Sequence, residues 1–174
     1  MTLSKPGISV CWLRRDLRLH DNAALFHALQ SGFPVLPVFI FDEAILNQLD
    51  DKADKRVDLI YQMLENIQQK LQATEGSIRI FHGTVKQAFE TLTSEYDLQK
   101  VFCNRDYEPY ALQRDAEIRD FLNAKNIEFH SYKDQVIFEW NEVLKADGTA
   151  YTVFTPFSKI WKKHLSEIQI PVYP

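Results

Sequence analysis

Short apolar runs rich in β-branched and aromatic residues alternate along this chain with segments of helical period, and that alternation restricts the fold more than any other feature. "ISVCWL" (8–13) and "VFIF" (38–41) are continuous runs of the kind seen in strands buried on both faces. "SIRIF" (77–81), "KVFCN" (100–104) and "IEFHSY" (127–132) repeat the pattern more weakly. Between them, Val57, Ile60, Tyr61, Leu64, Ile67 and Leu71 fall at three- and four-residue spacings on one stripe, which predicts a long amphipathic helix. A second helix is expected from Asn22 to Gln30 with Asp21 as its cap. A third follows Thr84 and carries Val85, Ala88, Phe89 and Leu92, and a fourth runs from Pro109, whose missing N–H costs nothing there, to Ala124. Strands that alternate with helices imply right-handed crossovers. The expected fold class is therefore α/β: a Rossmann-like, doubly wound five-stranded parallel sheet in the order 3-2-1-4-5 with helices on both faces.

One local signal opposes this scheme. "FPVLPVFIF" carries Pro34 and Pro37 at or near the second strand, and proline cannot donate to a central ladder, so that strand is expected to begin close to Pro37. After Tyr132 the pattern changes. "ADGTAY" reads as a turn between extended pieces, and a last helix with Phe157, Ile160, Trp161 and Leu165 begins at Thr155 or Pro156. Trp12, Trp140 and Trp161 are expected in the core. Residues 1–134 thus read as the α/β domain, 135–167 as a closing wrap-around segment with the last helix, and 168–174, with two prolines in "IQIPVYP", as the start of a linker.

A length of 174 residues suits one domain that buries a real core, and a monomer is expected. The formal net charge of −4 offers no basic footprint for a nucleic-acid backbone, so most contact with any DNA would lie elsewhere. Cys11 and Cys103 sit inside apolar runs and read as small hydrophobes in a reduced, cytoplasmic protein. No run approaches the ~18 apolar residues of a membrane span, and no export leader is expected from the N-terminal residues. No dinucleotide-binding glycine fingerprint, P-loop or nucleophile elbow appears, and the histidines and cysteines lack zinc-ligand spacing.

The chemistry concentrates in loops that follow strands. "RRDLRLHDN" follows the first strand, "FDEA" (41–44) the second and "NRDYEPY" (104–110) the fourth. In open parallel sheets ligands bind outside the carboxyl ends of the strands, and the expected strand order brings these three loops to one edge. Arg14, Arg15 and Arg18 supply permanent planar cations, and Asp16, Asp42, Asp106 and Glu108 the countercharge. Two readings follow: a crevice for a planar, partly anionic cofactor, or ion pairs that pin the loops together or dock a neighbouring domain.

"CWLRRDLRLHDNAAL" resembles the opening of the photolyase/cryptochrome family, and "VFIFDEAIL", "CNRDYEPYALQRD" and "YTVFTPFSKIWKKHL" match further family segments in order, across nearly the whole chain. The resemblance implies the N-terminal α/β antenna and scaffold domain of a light-dependent DNA repair flavoprotein. Such a protein is a carbon–carbon lyase that extrudes a pyrimidine dimer from UV-damaged DNA and splits it with FAD held in a larger helical C-terminal domain. That domain would be this chain's partner. It is expected to lie beyond the linker, and the chain alone is expected not to repair DNA. The alternative readings, ranked behind it, are the same domain of a signalling cryptochrome, or a free-standing nucleotide-binding α/β module.

The resemblance also implies an antenna chromophore at the tips of the first and second strands. Carried over by motif, its residues would be Arg14 and Arg15 from the first loop, Phe39, Phe41 and Asp42 from the second, Arg56 at the head of the long helix, and Asp106 and Glu108 from the fourth-strand loop. Folate-using members carry a carboxylate where this chain has Ala111, so an 8-hydroxy-5-deazaflavin or flavin antenna is expected in preference to folate. "HGTV" departs from the Gly-Asp-Pro common after the third strand.

Overall fold

The computed structural model describes residues 5–51 and 54–174; the first four residues, part of the stretch read as lacking a leader, lie outside it. The chain runs β1 (Gly7–Leu13), α1 (Ala23–Leu29), β2 (Val35–Asp42), α2 (Glu43–Leu46), α3 (Lys55–Gln72), β3 (Arg79–Gly83), α4 (Val85–Glu95), β4 (Asp97–Asn104), α5 (Pro109–Asn123), β5 (Glu128–Tyr132) and α6 (Phe154–Glu167). All four strand pairings are parallel and the order is β3-β2-β1-β4-β5, as the alternation requires.

Side chains of a strand alternate between faces, so each central strand feeds two cores. Val10, Trp12, Val38, Ile40, Val101 and Cys103 meet Phe89 and Leu92 of α4 and Ile118 and Leu122 of α5. Cys11, Leu13, Phe39 and Phe102 meet Ala24 and Ala28 of α1 and Leu64 and Ile67 of α3 on the opposite face. Trp12, 1% exposed, packs edge-on against Phe89 with ring centroids 5.2 Å apart. Both cysteines are free and buried. Burial pushes their thiols up, that of Cys103 to about 12.

Several boundaries differ from expectation for identifiable reasons. β2 begins at Val35, with Pro37 inside it. Pro37 pairs with Cys11 on the β1 side, whereas β3 joins only from Val38↔Arg79 onward, so the strand has a single partner at the proline. β4 begins at Asp97, three residues early, because a register shift between Ile8 and Ser9 lets Gly7 pair with Asp97 and Ser9 with Lys100. α1 is capped by Asn22, whose side chain accepts from the Leu25 amide; Asp21 sits at φ 51° outside the helix. α4 carries the full capping box, with Thr84 and Gln87 exchanging hydrogen bonds. Tyr61 of the predicted α3 stripe is 56% exposed, and Met63 packs against that core in its place.

Residues 133–153 form no regular element before α6. Trp140, expected in the core, is 81% exposed, and none of the α6 side chains is fully buried. The final residues return to the α/β unit. The Asp21 amide donates to the Tyr173 carbonyl at 2.8 Å, the Tyr173 amide donates to Asp21 Oδ1 at 3.0 Å, and the Tyr173 ring lies 5.2 Å from Phe26. No helix among the described residues is long and apolar enough to cross a membrane.

Candidate functional site

The strand order reverses between β1 and β4, and the carboxyl tips of these two strands border the crevice where open α/β sheets bind ligands. Here that crevice holds a side-chain network. Asn104, at the end of β4, donates from Nδ2 to Asp16 Oδ2 at 2.6 Å and to Asn22 Oδ1 at 2.9 Å, while its Oδ1 accepts from the Ala24 amide at 2.9 Å. Asp16 Oδ1 in turn accepts from the Arg14 amide. The β1 loop, the start of α1 and the β4 tip are thereby joined through the half-buried Asp16 and the buried Asn22 and Asn104, which satisfy one another. Beside them Arg18 reaches Asp134 at 2.8 Å, and Asp134 accepts from the Ala23 amide. About 60 Å3 of open space is left between the two tips.

Arg14 turns inward as well. Its side chain is 8% exposed, bonds both oxygens of Asp115 on α5 and donates to the Asn104 carbonyl. Arg114 shares the same carboxylate at 2.9 Å. The two guanidinium carbons lie 4.8 and 4.9 Å from the Trp12 ring centroid, so a buried aromatic face and one carboxylate together hold two cations.

The roomier cleft, about 180 Å3, lies at the tips of β1 and β2. Its walls are mainly apolar: Trp12 from β1, Phe39 and Phe41 from β2, Ile45 from α2 and Ile60 from α3. The rings of Phe39 and Phe41 meet edge to face at 5.0 Å. Its polar groups are few. Asp42, 6% exposed, caps α2 through the Ala44 amide and accepts from the Tyr110 hydroxyl at 2.5 Å. Burial, then that hydrogen bond, raise the Tyr110 phenol to about 12, so it stands as a neutral donor. Arg15 is 59% exposed at the mouth; its Nε lies 3.5 Å from Asp106 and its Nη2 2.6 Å from Glu108. Asp106 is itself fixed by the Tyr107 amide at 2.8 Å.

The three loops do meet at one rim. Arg14, Arg15, Phe39, Phe41, Asp42 and Asp106 all line this cleft. Glu108 joins through Arg15 and through its own amide to Asp106, and Arg56 is held by Asp54 on an exposed surface, 75% accessible and outside the cleft's walls. Trp12, Arg114 and Tyr110 were missing from the sequence-based set. Tyr110 and Arg114 lie four residues apart in "EPYALQRD", the spacing of one helix face, and that periodicity marks them as a pair.

Comparison with known proteins agrees with this fold. The family model described as DNA photolyase matches residues 9–174. A deoxyribodipyrimidine photo-lyase of Alkalihalophilus pseudofirmus is 32% identical over 165 residues, covering 92% of this chain and 34% of that protein. Cryptochrome-1 of Drosophila melanogaster is 30% identical over 152 residues, covering 84% of this chain and 28% of that protein. A photolyase of Sulfolobus tokodaii, solved with two FAD molecules and described as implying a novel light-harvesting cofactor, superposes with a TM-score of 0.75 at 25% identity, covering 94% of this chain and 35% of that one. The chain spans about a third of the length of these relatives. With a sheet of the expected order, motif loops gathered at its carboxyl edge and a family match over nearly every residue, the chain belongs to the DNA photolyase family.

Proposed function

We propose that this chain is the N-terminal antenna and scaffold domain of a light-dependent DNA photolyase, and that the β1–β2 cleft holds a flavin or deazaflavin chromophore. FAD and the contacts to UV-damaged DNA belong to a larger C-terminal partner domain in this reading. The observation that carries it is the cleft's lining: Phe41, Ile45, Leu46 and Ile60 supply apolar surface for a planar ring, and Arg15, Asp42 and Asp106 supply a few convergent polar groups at its margin. The bound pigment would absorb light and pass the excitation on. The protein's part is to orient the ring and exclude water from it. Arg15 can face an anionic edge or a phosphate, Asp42 and Asp106 can accept from hydroxyls, and Arg14 acts by holding the floor through Asp115. Glu108 acts on this site through Arg15, and Arg56 has no part in it.

The test is to purify the full-length protein, denature it and identify every released pigment by chromatography and mass. A flavin or deazaflavin in addition to the FAD of the partner domain is the expected result. FAD alone, even after reconstitution with FMN or 8-hydroxy-5-deazaflavin, removes the antenna assignment and leaves the fold intact. The cryptochrome relative keeps a signalling role as the second reading. Repair of UV-damaged DNA under light by the full-length protein separates the two.

A further inference from the structure

Trp12 poses a problem for a light-absorbing ring in the β1–β2 cleft. Its indole stands in the cleft wall but is only 1% exposed, so it lies just behind the surface as part of the core. Among the described residues that line the cleft it is also the only one with a readily oxidised side chain, since the other rings there are Phe39 and Phe41. Electron transfer needs proximity and no contact. An indole so placed can give one electron to an excited flavin ring. The electron then returns, no bond or proton moves, and the excitation is lost as heat.

The charges around Trp12 oppose that loss. The guanidinium carbons of Arg14 and Arg114 lie 4.8 and 4.9 Å from the indole centroid, and both side chains are 8% exposed. One arginine would be enough to neutralise Asp115. Here two are buried against it, at 2.5 and 2.9 Å, and among the described residues Arg114 pairs with no other carboxylate. Burying a second guanidinium on a shared carboxylate carries a desolvation cost that a purely structural tie does not need. The triad leaves one net positive charge beside the indole, and the cleft's lining as a whole sets three arginines against two aspartates.

We propose that Arg14 and Arg114 shield the chromophore from Trp12: their charge disfavours the oxidised indole, so the bound ring keeps its excitation long enough to pass it on. This inference rests on the chromophore reading above. Oxidation would place a positive charge beside two fixed ones where little water screens them, and at that separation the repulsion is large compared with thermal energy. The neutral indole is instead attracted by the same cations, so the arrangement favours the state that does not quench.

The experiment is time-resolved fluorescence of FMN bound to the 174-residue chain, which in this reading holds no FAD to accept the excitation. Wild type, Arg114→Lys, Arg114→Gln and the double variant Arg114→Gln/Trp12→Phe are compared with protein in excess, so that the lifetime reports the bound ring. Arg114→Gln leaves Asp115 paired with Arg14, and Trp12→Phe keeps an aromatic ring against Phe89. Shielding gives a long lifetime in wild type and Arg114→Lys and one about tenfold shorter in Arg114→Gln, the order expected for removing one of two charges beside the donor. The lifetime recovers in the double variant, which has no donor. Equal lifetimes in wild type and Arg114→Gln, or an equally short one in Arg114→Lys, overturn the shielding and leave the chromophore reading in place. A shortened lifetime that persists in the double variant does the same. If none of the proteins binds FMN or 8-hydroxy-5-deazaflavin, the chromophore reading fails and the shielding fails with it. Should the double variant not fold, the contrast between Arg114→Lys and Arg114→Gln decides the question, because it follows the charge.

Discussion

Asn104 holds Asp16 across 88 residues of sequence: the amide donates to the carboxylate at 2.6 Å at the point where the sheet reverses its strand order. The same Asn104 side chain also bonds Asn22 and the Ala24 amide, so one buried residue fixes the first loop, the first helix and the fourth strand. Asn104→Ala removes the acceptor of the buried Ala24 amide and one donor each from Asp16 and Asn22, which keep the Arg14 and Leu25 amides. The expected loss is about 1–3 kcal/mol in urea unfolding, with the melting temperature falling by roughly 2–4 °C for each kcal/mol.

Arg14 and Arg15 are neighbours in sequence and opposites in effect. Arg14→Ala strips a buried guanidinium from Asp115, which keeps Arg114, so a loss near the lower end of the range for broken buried pairs, about 3 kcal/mol, is expected. Arg15→Ala removes an exposed ion pair and costs under about 1 kcal/mol. FMN binding should respond in the other order: Arg15→Ala weakens it about tenfold through loss of a charge-assisted contact. Denaturant titration and fluorescence binding on the two variants check both halves.

That contrast shows where the sequence stops being informative. Strand order, sheet edge and the Thr84 cap follow from periodicity and composition, which are local properties. Which of two adjacent arginines turns inward depends on where Asp115 arrives, 101 positions away. The same holds for the α1 cap. Asp21 and Asn22 are both good capping residues, and the choice falls to Asn22 because Asn104 and Asp16 bond it from the core while Tyr173 bonds Asp21 from outside. Arg56 was placed in the site by motif alone, yet Asp54, two residues before it, bonds its guanidinium at the surface.

The Tyr110 phenol should titrate at about 12 in place of the ordinary value near 10, and burial is the larger cause. A folded-state value above the unfolded one means that this group's stabilisation is complete below about pH 10 and is lost as pH rises toward 12. Asp42→Asn should lower the value only part of the way, because the burial remains. Ultraviolet difference titration of wild type, Asp42→Asn and Tyr110→Phe assigns the signal and measures the shift.

Cys11 and Cys103 should be inert to a thiol reagent in the folded protein and both react on denaturation. Each is fully buried, and burial raises both thiols, that of Cys103 to about 12, which removes the reactive thiolate at neutral pH. Fast reaction of either one under native conditions would contradict the packing of β1 and β4.

The two hydrogen bonds between Asp21 and Tyr173 have a kinetic consequence. They join residues 152 positions apart, so they close the chain into a ring around almost the whole of its length. Such a closure bears nearly the full entropy of bringing distant segments together and is rewarded only after the intervening sheet exists. The ring should therefore shut last when the chain folds and open first when it unfolds, which makes the strap over α1 the earliest segment to exchange its amides.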